Sequence, residues 1–267
     1  MEPGFYINSI SHYTKCETAI DYILKDRRLK FSLFSETNDP YERLPYAFAG
    51  CNKKNMKLLH EIFQNNNFIK EHVKLLCFAE DDDMKPDIPF FSAGLSYAKP
   101  RMWAQYANSK SQDGICLIFN KELLIEKILS CFSKDKVSVG KVIYLDAIQF
   151  AHKVAIATSI QDNILSLESM DKIRYELINR YGWTYFYSKH IDWQDENEFR
   201  VVLFDDNDEH QYLEIDGCLE AIVMGININN DKIEEVNNLL SAFSYKPKLM
   251  QVELWDAYLQ LVECAIL

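Results

Sequence analysis

Three charged residues at alternating positions, Glu196, Glu198 and Arg200, open the segment 196–204. If this segment is a strand, side chains two residues apart share one face, so the three lie together. Adjacent carboxylates raise each other's affinity for a proton and a guanidinium opposes this, which suits acid–base chemistry or hydrogen bonding to a ribose hydroxyl. A half-exposed strand with a solvated polar face shows the same alternation, and the pattern taken alone favours that structural interpretation.

A second candidate is His12-Tyr13, at the end of a predicted strand and just before a predicted helix. A side chain at such a junction can meet a ligand while a rigid scaffold holds its backbone, but a lone histidine is more often structural than catalytic. The other five histidines lack metal-ligand spacing, so no metal site is predicted. Cys16 and Cys77 are candidate nucleophiles, yet nothing near them in sequence lowers a thiol pKa, and buried thiols are the simpler interpretation.

Two aromatic groups could stack on a planar ring. The first is Met102-Trp103 with Tyr106 one helical turn later, and the second is the ring-rich segment 183–187. Core packing accounts for most of these rings equally well.

The elements that must position these residues alternate irregularly between helix and strand. Strands are predicted near 5–13, 29–33, 73–79, 115–119, 137–145, 198–204, 211–215, 219–224 and 249–254, and helices after Thr14 and over 55–72, 100–106, 121–132, 147–180 and 231–243. Thr14-x-x-Glu17 predicts a capping box for the first helix. Residues 181–193 are predicted as a loop, and the C-terminal AYLQLVECAIL as a docked helix or a subunit contact, with docking favoured.

Several neighbouring strands are joined by links too short for a parallel crossover, which favours an α+β fold over a doubly wound sheet. We expect residues 1–267 to form a single domain with a mixed, mainly antiparallel sheet flanked by helices. Neither GxGxxG nor GxxxxGK[ST] occurs, so the usual phosphate loops of dinucleotide-binding and P-loop proteins lack support.

Composition narrows the class of protein. Of the 267 residues, 48% are hydrophobic and 26% charged, which excludes disordered, collagen-like and coiled-coil chains. The apolar runs are far shorter than the ~20 residues of a membrane helix, so no membrane partner is expected. The N-terminus does not resemble a secretion signal, and the seven scattered cysteines suggest reduced thiols in a cytoplasmic protein. A net charge of −11 argues against strong nonspecific nucleic-acid binding.

The succession of motifs resembles DUF2971, a prokaryotic family of unknown function. The blocks that carry the resemblance are His12-Tyr13-Thr14, Asn38-Asp39-Pro40-Tyr41-Glu42, Cys77-Phe78-Ala79-Glu80, Met102-Trp103-Ala104-Gln105-Tyr106-Ala107, Gly114, Val142-x-Tyr144 and Glu196-x-Glu198-Phe199-Arg200. The resemblance spans about residues 6–225 and leaves 226–267 as a helix–strand extension. Ala79 stands where the pattern has serine, and Phe199 where it has tryptophan.

The order of the motifs is also similar to that of diverged ADP-ribosyltransferases, which implies an ADP-ribosyltransferase-like fold and NAD as substrate. Under this resemblance His12 holds the adenosine ribose, and Glu198 is the catalytic carboxylate that stabilises an oxocarbenium-like transition state. Glu196 orients the acceptor nucleophile. The remaining residues implied to bind NAD are Tyr13, Thr14, Trp103, Tyr106 and Arg200.

The expected function is therefore NAD-dependent ADP-ribosyl transfer or NAD cleavage in a bacterial defence or toxin-like context, with a protein or nucleic-acid acceptor. One alternative is a noncatalytic recognition or regulatory module of a phage-defence system, in which Trp103, Tyr106 and the rings of 183–187 form a ligand pocket. A second alternative is a metal-dependent nuclease that uses the carboxylates of Asp39, Glu42, Glu196 and Glu198. The C-terminal segment is a possible oligomer contact.

Overall fold

The computed structural model describes residues 8–50, 56–65, 67–82, 94–107, 113–207, 209–255 and 258–264. Its strands are β1 (Ser9–Thr14), β2 (Arg28–Lys30), β3 (Ser32–Leu33), β4 (Val73–Glu80), β5 (Ile115–Asn120), β6 (Val137–Lys141), β7 (Ile143–Leu145), β8 (Ser188–His190), β9 (Glu198–Phe204), β10 (Tyr212–Glu214), β11 (Leu219–Met224), β12 (Lys248–Trp255) and β13 (Tyr258–Glu263).

The helices are α1 (Cys16–Thr18, continued by a π-helix over Ala19–Leu24), α2 (Pro40–Arg43), α3 (Met56–Gln64), α4 (Pro100–Tyr106), α5 (Lys121–Cys131), α6 (Ala147–Thr158), α7 (Asp162–Leu165), α8 (Met170–Phe186) and α9 (Asn230–Leu240), with 3₁₀ turns at Phe34–Glu36 and Ile191–Glu196. Within the described residues, no helix combines the length and the apolar character that crossing a membrane requires.

Nine strands form one large sheet in the order β13-β12-β11-β5-β1-β4-β9-β6, with β3 paired to β4 beside this path. The β11–β12 pair is parallel and the other pairs of the sheet are antiparallel. Two small sheets, β10-β2 and β7-β8, complete the described strands. The structure thus confirms the predicted α+β fold with a mixed, mainly antiparallel sheet.

The sheet is split between β1 and β4. These strands pair only at Ile10 with Glu80 and at Ser11 with Ala79, whereas β3 pairs with the other end of β4 at Lys74 and Leu75. On its opposite side β4 pairs with β9 from Val73 to Ala79. A gap in the ladder therefore opens beside the middle of β4, and this gap holds the site described below.

Three apolar clusters cover the sheet, because side chains alternate between its faces. On one face, α1 with its π-helix, α5 and α9 pack over residues such as Phe119, Val201 and Ile222. The other face carries two clusters. Helices α3, α7 and α8 pack over Leu75 and Val202, and α4 packs near Ile118 and other buried residues of β5 and β11. The split lies between these last two clusters.

The predicted capping box at Thr14 and Glu17 is wrong. Thr14 is the last residue of β1 and pairs with Ile115, so the strand runs one residue further than predicted. Lys15 then becomes the residue before the helix, and its side chain makes no capping hydrogen bond. Sheet pairing has overridden the local helix signal.

The predicted element boundaries also need correction in four segments. The helix predicted over 55–72 ends at Gln64, that over 147–180 consists of α6, α7 and the first part of α8, and the strand predicted over 137–145 breaks at Val142. The predicted loop 181–193 is instead the end of α8 followed by β8 and a 3₁₀ turn, because Tyr185 and Phe186 are buried in the α8 cluster.

The described part of the C-terminal segment forms a strand, so the predicted docked helix is wrong there. Residues Tyr258–Glu263 form β13, which pairs with β12 in antiparallel register. Leu259 and Leu261 alternate onto the face of the α4 cluster, and this period of two suits a strand. The extension after residue 225 therefore contains a helix and two strands.

Candidate functional site

A cavity of about 180 Å³ lies at the gap between β1 and β4. Its described lining consists of Ser11, His12, Tyr13, Lys30, Ser32, Glu36, Thr37, Asn38, Glu42, Leu75, Leu76, Cys77, Phe78, Met102, Tyr106, Lys189, Glu196, Glu198 and Arg200. The mouth is formed by exposed side chains, among them Lys30, Glu36 and Asn38. The inner end is formed by charged side chains that are buried. In an ordinary surface groove, charged side chains are solvated instead.

Glu198 and Arg200 project from β9 into the inner end of the cavity. They alternate with Phe199 and Val201, which belong to the opposite face of the sheet. The Arg200 guanidinium donates two hydrogen bonds to the Glu198 carboxylate, from Nε to Oε1 at 2.6 Å and from Nη2 to Oε2 at 2.9 Å. Arg200 Nη1 also donates to the carbonyl oxygen of Phe186, where α8 ends, at 2.6 Å. The end of α8 thereby fixes the guanidinium.

Lys189 joins the two carboxylates of the E-x-E motif. Its Nζ lies 2.8 Å from Glu196 Oε2 and 2.7 Å from Glu198 Oε2. Strand β8, which begins two residues after α8, carries this lysine over β9. The Tyr106 hydroxyl of α4 donates to Glu196 Oε1 at 2.9 Å. The ammonium and the phenol fix the Glu196 carboxylate from both sides.

Burial and charge move the pKa values of the two carboxylates in opposite directions. Burial raises the pKa of Glu196 above its ordinary value, and Lys189 only partly opposes this. Burial acts in the same direction on Glu198, but the charges of Arg200 and Lys189 outweigh it and hold the pKa of Glu198 well below its ordinary value. Glu198 is therefore the ionised carboxylate of the pair, and Glu196 is the one that holds a proton more readily.

Glu42 adds a third buried carboxylate, from helix α2. Its Oε1 lies 2.7 Å from Arg200 Nη2. This is a close charge contact with angles outside those of a hydrogen bond, and Glu42 Oε2 has no hydrogen-bond partner among the described residues. Asp39 Oδ1 caps the start of α2 by accepting from the Tyr41 backbone N–H at 2.9 Å, so the helix that carries Glu42 is fixed at its first turn.

His12 closes the gap in the ladder. Its Nδ1 lies 3.0 Å from the carbonyl oxygen of Cys77 in β4. A carbonyl oxygen can only accept, so Nδ1 carries the proton and Nε2 of the neutral ring is an acceptor. Burial lowers the pKa of His12, which favours this neutral form. Cys77 also neighbours Glu198, whose negative charge helps to raise the pKa of the Cys77 thiol, so one residue of β4 lies next to both the histidine and the glutamate.

The thiols of the two candidate nucleophiles are not activated. Burial raises the pKa of Cys16 to about 11 and raises that of Cys77 well above its ordinary value. The six described cysteines are all free thiols, and Cys51 lies outside the described residues. Neither Cys16 nor Cys77 is a ready thiolate at neutral pH.

The structure brings together His12, Glu196, Glu198, Arg200 and Tyr106 of the predicted site. The solvated-strand interpretation of the charged motif is wrong, because Glu196, Glu198 and Arg200 are all buried. Glu196 also precedes the strand: it ends the 3₁₀ turn, and Asn197 with φ 41° connects it to β9.

Three predicted site residues have other roles. Tyr13 borders the cavity, but its hydroxyl donates to the Ser96 carbonyl oxygen at 2.7 Å and its ring meets Trp103 edge-on, so it is not free to stack on a ligand. Trp103 Nε1 donates to the Tyr97 carbonyl oxygen at 2.8 Å, and Trp103 is not among the described lining. Thr14 lies at the end of β1, also outside that lining.

The aromatic pocket proposed for the binding-module alternative is not assembled. Of its rings, Tyr106 reaches the described lining of the cavity, while Trp103 and residues 183–187 do not. Tyr185 and Phe186 lie in the α8 cluster, and the Tyr187 hydroxyl lies 2.6 Å from Ser138 Oγ. Core packing explains Tyr185, Phe186 and Tyr187, whereas Trp183 is 57% exposed.

Sequence reasoning gave no role at the cavity to Lys189 and used Glu42 only for the nuclease alternative. No sequence spacing marks Lys189 as a site residue, because β8 is only three residues long. The position of β8 over β9 depends on where α8 ends. Ala79, which replaces the expected serine, is fully buried and lies outside the described lining.

Comparison with protein families gives one match. Residues 102–201 match the family model DUF2971, described as a protein of unknown function. The match confirms the predicted resemblance to DUF2971 over these residues. The DUF2971 match is shorter than the resemblance seen over residues 6–225. The match includes Tyr106, Lys189 and the E-x-E motif. His12 and Glu42 lie N-terminal to the matched residues.

No curated protein and no solved structure matches the chain. The DUF2971 description assigns no reaction. Among the described residues, no group of three or more His, Cys, Asp or Glu side chains is arranged to hold a metal ion. The carboxylates of the nuclease alternative that line the cavity, Glu42, Glu196 and Glu198, instead face Lys189 and Arg200.

Proposed function

We propose that this protein cleaves NAD at the bond between nicotinamide and ribose, and transfers ADP-ribose to an acceptor or to water. The observation that carries the proposal is that His12 and Glu198, which are far apart in sequence, line one cavity. They belong to different strands, and Cys77 lies next to both. Burying two polar side chains in a gap of the sheet costs free energy, and binding of one ligand by both residues accounts for this placement.

The dimensions of the cavity suit the reacting end of NAD. A cavity of roughly 150 Å³ holds one benzene-sized ring, and this cavity measures about 180 Å³. One ring of the dinucleotide therefore fits inside, and the pyrophosphate lies outside. The exposed ammonium of Lys30 at the mouth is a suitable partner for its negative charge.

The charges suit the proposed bond cleavage. When the ribose C1′–nitrogen bond breaks, its electron pair goes to the ring nitrogen, nicotinamide leaves neutral, and positive charge develops at the ribose. The Glu198 carboxylate, kept ionised by Arg200 and Lys189, stabilises that charge. The acceptor hydroxyl or water then attacks C1′, and Glu196, whose pKa is raised by burial, takes its proton.

The test is release of nicotinamide from NAD by the wild type and three variants, with candidate acceptors present. Glu198→Gln removes the charge and keeps the shape, so we expect a loss of about 10²–10⁴ in rate. Glu196→Gln impairs transfer more than cleavage, and His12→Ala mainly weakens NAD binding. The control is Glu126→Gln, an exposed residue of α5 away from the cavity.

Two results would overturn the proposal. If the wild type neither binds NAD nor releases nicotinamide, the transferase function is wrong. If Glu198→Gln is as active as the wild type, Glu198 is not the catalytic carboxylate.

One observation favours a noncatalytic ligand-binding function as the second candidate. Both oxygens of Glu198 already contact cations, Oε1 from Arg200 and Oε2 from Arg200 and Lys189. A carboxylate so neutralised stabilises developing positive charge less than a free one. Binding of NAD without release of nicotinamide would select this function.

The six described free thiols also support a reducing compartment, and we propose the cytoplasm as the place of action.

A further inference from the structure

We propose that Glu42 is a ligand-binding residue that receives the positively charged, hydrogen-bond-donating ring of the ligand, so that the cavity selects a cationic ring over its neutral counterpart. The proposal rests on the proposed function, because the nicotinamide ring of oxidised NAD is a cation and its carboxamide carries two N–H donors. The motif resemblance assigns no such role to Glu42.

The first observation is an oxygen without a partner. Glu42 is only 4% exposed and lines the cavity, yet its Oε2 has no hydrogen-bond partner among the described residues. Thr37 Oγ1, on the same lining, is likewise buried and unpartnered within the described chain. Buried polar atoms are normally hydrogen-bonded, and an unpartnered carboxylate oxygen is costly. A ligand donor in the cavity satisfies it.

The second observation is the balance of charge at the inner end. Three carboxylates, Glu42, Glu196 and Glu198, face two cations, Lys189 and Arg200. Lys189 lies against Glu196 and Glu198, and Arg200 bridges Glu198 and Glu42. When all three carboxylates are ionised, they exceed these two cations by one negative charge. A ligand that brings one positive charge balances the cluster, whereas an anionic group placed there is repelled.

The third observation is that Glu42 is held in place from outside the cavity. Lys70 Nζ donates to the backbone carbonyl oxygens of Glu42 and Leu44, at the end of α2. Asp39 caps the other end of the helix. The backbone of α2 is thus fixed at both ends and Oε1 lies 2.7 Å from Arg200 Nη2, so the Glu42 carboxylate is preorganised for a ligand.

The experiment compares two ring-sized probes that differ in charge, 1-methylnicotinamide, which is a cation, and nicotinamide, which is neutral. Dissociation constants are measured by ligand-observed NMR or calorimetry on the full chain. We expect the wild type to bind the cation at least about tenfold more tightly, the effect of one charge-assisted contact. Glu42→Gln keeps the shape and should reduce the preference to about twofold or less.

Two further variants make the result interpretable. Glu42→Asp keeps the charge and should keep the preference for the cation, so the inference can still be contradicted if the glutamine variant does not fold. Glu126→Gln, on the exposed face of α5, should leave the preference as in the wild type. Thermal unfolding of each variant confirms that it is folded.

The possible failures are distinguishable. Absence of binding of both rings, equal affinity for the two rings in the wild type, a preference that persists in Glu42→Gln, or its loss in Glu42→Asp would each overturn this inference. If NAD is nevertheless cleaved, the proposed function stands without it. Conversely, a cation preference that depends on Glu42, in a protein that does not cleave NAD, supports the inference and rejects the proposed reaction.

Discussion

At the scale of single residues, the cavity is governed by how two cations are shared among three carboxylates. Lys189 and Arg200 both contact Glu198, and this double pairing makes Glu198 the residue whose charge matters most for the folded state. Ion pairs buried in this way add little to the free energy of unfolding compared with apolar side chains packed in their place. Removing one partner, however, leaves a buried charge uncompensated and destabilises the fold.

A pH dependence follows from the lowered pKa of Glu198. A carboxyl group whose folded pKa lies below its unfolded value of 4.5 stabilises the fold above pH 4.5, and that stabilisation is lost as the pH falls toward the folded value. We expect the difference in unfolding free energy between wild type and Glu198→Gln to be largest near neutral pH and to shrink below pH 4.5. Urea denaturation at a series of pH values measures it. A difference that grows on acidification would contradict the assignment.

A second prediction concerns Lys189. Replacing it by Met leaves Glu196 and Glu198 side by side without their shared cation, and should destabilise the protein by about 3–5 kcal/mol. In the double variant Lys189→Met/Glu196→Gln the loss should be smaller than the sum of the two single losses, because the two residues interact directly. Lys172→Met, in an exposed pair with Glu168, should change stability by less than about 0.5 kcal/mol. Strict additivity would show that the pair carries no coupling.

The sequence predicts part of this cluster. The alternation of Glu196, Glu198 and Arg200 indicates a shared face, and the structure places all three at one cavity. Lys189 and Glu42 lie in a short strand and a short helix whose positions depend on contacts distant in sequence, so no local period marks them.

At the scale of elements, Asn197 is the joint that lets the E-x-E motif reach the cavity from two different elements. It has φ 41° between the 3₁₀ turn and β9, and its side-chain amide donates to the carbonyl oxygens of Glu80 and Asp81. The left-handed conformation suits asparagine or glycine better than residues with other side chains. The joint also fastens the end of β4 to the start of β9.

This joint predicts a graded response to substitution. Asn197→Gly keeps the conformation and loses the amide, for about 1–2 kcal/mol of stability, whereas Asn197→Ala also takes on the left-handed strain and should lose roughly 1 kcal/mol more. Chemical denaturation of both variants tests the order. An alanine variant as stable as the glycine variant would show that the backbone conformation is not strained.

Two glycines provide a second contrast between elements. A Cβ at Gly114 would lie 2.3 Å from Ala107 Cα, so Gly114→Ala should destabilise the contact between the end of α4 and the start of β5 by about 1–3 kcal/mol. A Cβ at Gly182 in α8 would meet nothing closer than 3.8 Å, and Gly182→Ala should stabilise that helix by about 0.5–1 kcal/mol. Thermal melts of the two variants should shift in opposite directions, and shifts of the same sign would be inconsistent with these contacts.

The elements were predicted best where hydrophobic alternation and strand pairing agree. Strands β4, β5, β9 and β11 lie within a residue or so of their predicted ranges. Errors concentrate where packing decides between alternatives, as in the aromatic end of α8 and the apolar segment that became β13. An apolar run of this kind is compatible with a buried helix or a buried strand, and the elements that pack against it decide between the two.

At the scale of the whole molecule, the α+β class follows from the pattern of elements, but the split in the sheet does not. Which strands pair, and where the pairing stops, is set by contacts between residues far apart in sequence. His12 and Glu198 were predicted as residues of one site only through the resemblance, and the gap between β1 and β4 is the physical reason that they line one cavity.

The thiols allow a test at this scale. Because the six described cysteines are free, reductant should leave the melting temperature unchanged, and all seven thiols should titrate in the denatured protein without reductant. Fewer than seven reactive thiols, together with a lower melting temperature in reductant, would indicate a disulfide.

The weak pairing between β1 and β4 makes this boundary a seam in the sheet. Strands β13, β12, β11, β5 and β1 lie on one side of it, and β4, β9, β6 and β3 on the other. Two residue pairs of the ladder and the His12–Cys77 hydrogen bond join β1 to β4, and the Phe78 ring packs against His12 and Phe119 across the seam. Because the cavity lies along this seam, a bound molecule that contacts both sides acts as a fastener between them. Ligand affinity and the resistance of the sheet to opening are then thermodynamically linked, and a change in either one alters the other.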